Sequence, residues 1–95
     1  MMWKYKIERF EKPIKKEYQD VKKYDVARFE YGDYDNWVDA IILNITPENE
    51  RILKIEFAMI DGRVMDAYEF VHNNKSVFEI IGTATEIKKE QDNQR

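Results

Sequence analysis

The residues that most often carry out catalysis are few in this 95-residue chain. It contains no cysteine, and its single histidine, His72, lies four positions before its single serine, Ser76. A nucleophile and base built from these two would share one tight turn, which is a poor platform for a buried, oriented nucleophile. One histidine and no cysteine also exclude the usual Cys/His zinc sites. We therefore predict no catalytic residue, no bound metal and no cofactor.

Carboxylates are abundant, but their abundance removes their value as a signal. Paired acids could perform glycosidase-type catalysis. With nineteen Asp and Glu residues in the chain, however, some pair will always lie close together. The glycine patterns of nucleotide-binding loops and of nucleophile elbows are missing, since the only glycines are Gly32, Gly62 and Gly82. The sequence predicts a protein that is not an enzyme.

One short segment, residues 30–39, has the residue types of a protein-binding surface. It contains four acids, two tyrosines and a tryptophan around a glycine-containing turn. Tyr and Trp are typical anchors of protein interfaces, and nearby acids steer a basic partner towards them. We predict that this segment binds a protein partner with a basic surface, as an inhibitor or immunity-like accessory protein does. The predicted contact residues are Tyr31, Asp33, Tyr34, Asp35, Trp37 and Asp39.

The first alternative function is single-stranded nucleic-acid binding by the basic N-terminal quarter. Residues 1–24 hold eight Lys and Arg against four acids, with Trp3, Tyr5, Phe10 and Tyr18 among them. Stacking aromatics combined with cations hold single strands. Trp3, Tyr5 and Tyr18 also have the spacing of buried core faces. The net charge of −3 argues against a dedicated polyanion binder.

Length and composition set the domain organisation. The hydrophobic share of 43% and aromatic share of 14% are enough for one folded core. We expect a single domain over residues 1–87 and a frayed polar tail over 88–95. The N-terminus lacks the apolar stretch of a secretory signal, and no apolar run approaches the ~20 residues of a membrane span. We therefore expect a cytoplasmic protein without a membrane partner.

The elements that must position these residues follow from hydrophobic periodicity. Residues 2–10 and 25–31 alternate as strands do. Between them Pro13 precedes Ile14, Tyr18 and Val21 at helical spacing, which predicts an amphipathic helix of about three turns. Residues 37–45 fit either a helix or a strand buried on both faces, and their β-branched content favours the strand. Residues 76–87 indicate a last strand with Gly82 at a bulge.

The strongest local signal is Asp61-Gly62 between two apolar runs, which is typical of a tight hairpin. A two-residue turn would place Ile60 opposite Arg63 and Phe57 opposite Asp66. The alternative is a helix over residues 47–60 that begins at Thr46 and Pro47.

Together these elements predict an α+β, β-rich fold. It consists of a mostly antiparallel sheet of five to six strands with one amphipathic helix near the N-terminus, in the form of an open sheet or a small open barrel. The exposed edge of such a sheet supplies a further alternative function, a structural subunit that forms a homodimer.

Overall fold

The computed structural model of the chain describes residues 4–30, 37–71 and 77–87. These residues form one antiparallel sheet of six strands. The strands are β1 (Tyr5–Glu17), β2 (Asp25–Glu30), β3 (Trp37–Asn49), β4 (Ile52–Ala58), β5 (Val64–Phe70) and β6 (Val77–Glu86). Their order across the sheet is β1-β6-β2-β3-β4-β5, so β1 and β5 are its edges.

The predicted α+β fold class is wrong, because the described residues contain no α-helix. Their only helical segment is a 3-10 turn at Tyr18–Asp20. Ile14 and the residues after it continue β1 and pair with β6, from Ile14 opposite Ile80 to Glu17 opposite Val77. Pro13 lies where the β1–β6 register shifts, on an edge strand, where its missing N–H interrupts no ladder. Three apolar residues at helical spacing were too few to outweigh pairing with β6.

A β-rich single domain is confirmed, and its core lies on both faces of the sheet. Val26 and Ala27 are neighbours in β2 and are both fully buried, yet they belong to different apolar clusters. Ile41 and Ile42 divide between the same two clusters. Side chains of consecutive strand residues point to opposite faces, so the sheet must be covered on both sides. This explains why residues 37–45 lack an alternating pattern.

The sheet covers itself by coiling. The larger cluster centres on Phe57, which meets the ring of Phe29 edge to face at 5.3 Å between centroids. At the smaller cluster the start of β1 folds over towards the end of β4. There the N–H groups of Lys4 and Tyr5 both donate to the carbonyl oxygen of Ile60, at 2.9 and 3.2 Å. Within the described residues, no helix is both long and apolar enough to cross a bilayer.

The β4–β5 hairpin is confirmed in place, but the predicted register is wrong by one residue. Phe57 lies opposite Met65, not Asp66. The N–H of Met59 donates to the carbonyl of Arg63, and the N–H of Gly62 donates to the carbonyl of Met59, each at 2.8 Å. The loop therefore has three residues and places only Gly62, with φ +100°, in the left-handed region. A slip of one residue moves every facing side chain to the other side of the strand.

Gly82 occupies the predicted bulge, and its lack of a side chain lets β1 approach β6. Ile81 is an extra residue relative to β2, which pairs with Gly82 through Val26 and with Ile80 through Ala27. A Cβ on Gly82 would overlap the carbonyl oxygen of Glu8 and lie 3.0 Å from the Cα of Arg9. Both neighbours are backbone atoms and cannot rotate away.

Candidate functional site

Two of the six residues predicted to bind a partner lie on strand β3. Trp37 begins the strand and leaves 57% of its surface exposed. Asp39 follows two positions later, on the same face of the strand. The other four predicted residues lie outside the described ranges; they are Tyr31, Asp33, Tyr34 and Asp35. His72 and Ser76 also lie outside these ranges.

Asp39 holds two arginines. Nη2 of Arg9 donates to its Oδ2 at 2.8 Å, and Nε of Arg28 donates to its Oδ1 at 3.2 Å. Burial of Asp39 raises the pKa of its carboxyl, but the hydrogen bonds and charges of the two guanidinium groups outweigh burial. The net effect lowers the pKa below its ordinary value. Asp39 therefore does not present a free negative charge to a partner. It fixes two cations in place.

The register of the sheet and its coiling together bring these three residues close to one another. Arg28 on β2 lies directly opposite Asp39 on β3. Arg9 arrives from β1, although β6 and β2 separate β1 from β3 in the sheet order. It can reach Asp39 only because the sheet coils over this face. Sequence reasoning missed both arginines, since neither lies in the 30–39 segment. For Arg28, the signal would have been its charge, which is opposite to that of Asp39.

A cleft of about 740 Å³ opens beside this ion-pair cluster; we call it the Trp37 cleft. Its lining combines apolar residues with two charges of each sign. The charged lining residues are Arg9, Arg28, Asp39 and Glu79, and the others are Ile7, Trp37, Val38, Met59 and Ile60. A surface of this kind offers apolar contact next to several hydrogen-bonding groups.

Trp37 also lines a second, smaller depression of about 410 Å³. Arg28 and Glu79 belong to both depressions, and Val77, which is 60% exposed, belongs to the second. Trp37 therefore borders both hollows. It lies at the start of β3, opposite Glu30 of β2, and the pairing of β3 with β4 begins only at Ile41. An anchor carried on a paired strand loses less freedom on binding than one carried on a free loop.

The described lining residues of the Trp37 cleft include no serine, threonine, cysteine, histidine or lysine. Among the described residues, no group of three acids or histidines is placed to hold a metal ion. The carboxylate of Asp39 is occupied by its arginines.

The basic N-terminal segment has a largely structural role in the described residues. Tyr5 is buried, and Phe10 and Tyr18 are partly buried against the larger cluster, so each has less ring surface available for stacking on bases than a free ring would. Lys16 donates through Nζ to the buried carboxylate of Asp25 at 2.9 Å. That carboxylate oxygen also accepts the N–H of Lys22 at 2.9 Å, so Asp25 ties the end of β1 to the start of β2.

Comparisons of the chain with protein-family models, with curated proteins and with solved structures found no match. The geometry of the site is therefore the basis for its function.

Proposed function

We propose that this protein is a small, non-enzymatic protein-binding module whose contact surface is centred on Trp37. One observation supports this function above others: Trp37, which is 57% exposed, lies on strand β3 and lines two neighbouring depressions. Tryptophan dominates the energetics of many protein interfaces, because it buries a large apolar area and still offers an N–H donor.

The arginines beside Trp37 favour the same function. Each guanidinium group has five N–H donors, and Asp39 accepts one from Arg9 and one from Arg28. The remaining donors can reach carbonyl or carboxylate groups of a partner. Because Asp39 already restrains both side chains, less side-chain entropy is lost on binding than with two free arginines.

The preference for a basic partner rests on the sequence. Asp33 and Asp35 precede Trp37, and the whole chain carries a net charge of −3. The described residues of the Trp37 cleft are balanced in charge, so they provide the anchor, and the acidic residues provide long-range steering. An inhibitor or immunity-like protein that covers a basic surface of its target would use both.

Nucleic-acid binding receives less support. Three of the four aromatic residues that suggested it are packed on the core, and the charges of Lys16 and Lys4 face Asp25 and Glu86. A single-stranded ligand would find cations along β1 but few free rings.

Affinity capture with matched variants tests this function. The tagged chain, its Trp37→Ala variant and an Ile14→Ala control are incubated with lysate of the organism that encodes it, with and without nuclease. Ile14 is also an exposed apolar residue, 46% accessible, and it lines neither depression. A captured protein is then purified and its affinity measured by calorimetry.

We expect Trp37→Ala to weaken binding of that protein by about 30-fold or more, which corresponds to roughly 2 kcal/mol. Ile14→Ala should leave the affinity unchanged. Both variants should unfold within about 0.5 kcal/mol of the parent, because both side chains are exposed. A partner with equal affinity for the parent and Trp37→Ala would contradict this function. Capture that disappears after nuclease treatment would favour nucleic acid instead.

A further inference from the structure

The edge strand β5 presents an apolar row to solvent. Among the described strands it is hydrogen-bonded only to β4. Its outward side chains include Val64, Tyr68 and Phe70, which are 62%, 58% and 82% exposed. Asp66 is the one charged side chain in that row. Edges of this kind pair readily with another strand.

The hydrogen-bonding pattern shows which backbone groups of β5 are free to pair. Arg63, just before the strand, accepts a bond from Met59, and Val71, just after it, donates to Arg51. Bonding residues alternate along an antiparallel pair, so Met65, Ala67 and Glu69 direct their backbone groups towards β4. The N–H and C=O groups of the even-numbered residues, 64 to 70, therefore point away from the sheet.

We propose that two copies of this chain form a two-fold dimer through antiparallel pairing of their β5 strands, centred on Ala67. In this register Val64 lies opposite Phe70 of the second copy, and Asp66 lies opposite Tyr68. Both pairs join outward-pointing backbone groups, so the dimer gains about eight backbone hydrogen bonds. The side chains also match: one pair is apolar, and in the other a phenol can donate to a carboxylate.

Charge selects this register over its neighbours. Centring the pair on Asp66 would place two aspartates directly opposite each other, and like charges in that position are destabilising. Centring it on Tyr68 would place Asp66 opposite Phe70 and leave the apolar pair unmade. Only pairing about Ala67 uses the full strand Val64–Phe70 without a like-charge contact. The occupant that fits the strand is therefore a second copy of it.

The contact lies at the small end of specific interfaces. We expect a dissociation constant on the order of 10 μM, so the population of dimer should depend on concentration between about 1 and 500 μM. Trp37 lies on β3 and takes no part in the pairing, although Glu69 of β5 lines the smaller depression beside it. Trp37→Ala should therefore leave the dimer unchanged, and loss of the dimer in that variant would contradict β5 pairing.

Sedimentation equilibrium on the full chain tests the dimer, with two single variants and their combination. Phe70→Lys and Val64→Glu each break the apolar pair and should weaken dimerisation at least about tenfold. In the double variant every introduced lysine faces an introduced glutamate of the other copy. The two sites lie at opposite ends of one strand, so they cannot compensate within a chain. The double variant should regain at least half of the parent's dimer at equal concentration.

A second measurement uses the absence of cysteine from the chain. Ala67→Cys places two thiols at the two-fold axis in a closely spaced, non-hydrogen-bonded pair. Mild oxidation should give a disulfide-linked dimer, whereas Thr83→Cys, an exposed site on β6, should give little. A parent that stays monomeric throughout the concentration range overturns the dimer. Single variants that dimerise as strongly as the parent, or a double variant that dimerises as weakly as the single variants, overturn the register.

Discussion

The two edges of the sheet are treated in opposite ways. β1 has thirteen residues and carries Lys6, Lys12 and Lys15 together with Pro13, and its register with β6 shifts between Arg9 and Ile14. Lysine, proline and bulges are the devices by which natural sheets prevent edge pairing. β5 has seven residues, none of them lysine or proline, and its register with β4 is regular.

The ion pairs follow the same division. Arg9 and Lys16 tie β1 to Asp39 and Asp25, on strands that are not its direct neighbours. Within the described residues, no ion pair involves a side chain of β5. The features that prevent edge pairing are therefore found on β1 and not on β5. The contrast supports β5 as the edge that is kept for association.

The largest expected effect comes from a substitution at Gly82, where the protected edge strand β1 approaches β6 closely. Gly82→Ala would force a methyl group against the backbone at Glu8 and Arg9, so β1 must move away from β6. We expect a loss of about 3 kcal/mol in the free energy of unfolding, measured by urea denaturation. Thr83→Ala, an exposed neighbour on β6, should cost much less. Equal losses in the two variants would show that β1 does not depend on the close approach.

A smaller loss is expected at the other end of β1. Asp25→Ala leaves the ammonium group of Lys16 and the N–H of Lys22 without their shared acceptor in a part-buried setting. We expect about 2 kcal/mol of destabilisation. Asp20→Ala, an exposed acid in the nearby 3-10 turn, is the control and should change stability by less than about 0.5 kcal/mol. If both variants unfold alike, Asp25 does not anchor this edge.

The smallest expected effect is a gain in stability, and it concerns β5, the unprotected edge. Glu69 lies on the inner face of β5, and burial raises the pKa of its carboxyl above the ordinary 4.5. The folded chain therefore holds this proton more tightly than the unfolded chain. The contribution of Glu69 to the free energy of unfolding is fully favourable below pH 4.5 and falls as pH rises through the folded pKa.

Glu69→Gln removes this dependence. We expect the variant to be more stable than the parent at pH 7, by less than about 1 kcal/mol because the group is half-exposed, and equal to it near pH 3. Thermal unfolding at the two pH values measures the difference, with the exposed Glu48→Gln as control. A parent that is more stable than Glu69→Gln at pH 7 would contradict the cost of burying this charge.

The sequence predicted what local chemistry decides and failed where distant residues decide. Asp61-Gly62 located the hairpin, but the turn could close with two loop residues or three. The choice depends on packing, because the observed register sets Phe57 against Met65 and the predicted one set it against Asp66. The helix predicted after Pro13 failed for the same reason: its residues are partners of β6, which lies some sixty positions along the chain.

The candidate site divides in the same way. Trp37 stood out by residue type within one short segment. Arg9 and Arg28 could not be found so directly, because they meet Asp39 only through strand pairing and the coil of the sheet. Asp39 was predicted to be a free acid, but in the structure it is the centre of an ion-pair cluster. The difference arises from those two distant cations.

The pairing of β1 with β6 also governs the order of folding. Strands β2 to β5 follow one another and pair in sequence as each is made, whereas β1 must wait for β6, the last described strand to leave the ribosome. Such non-local pairing is slow, typically on the scale of milliseconds to seconds. Until it is complete, Val26 and Ile41 lack their cover from Tyr5 and Ile81. The nascent chain therefore has an interval in which its smaller core is open, and a chaperone or an early partner has its best opportunity to act then.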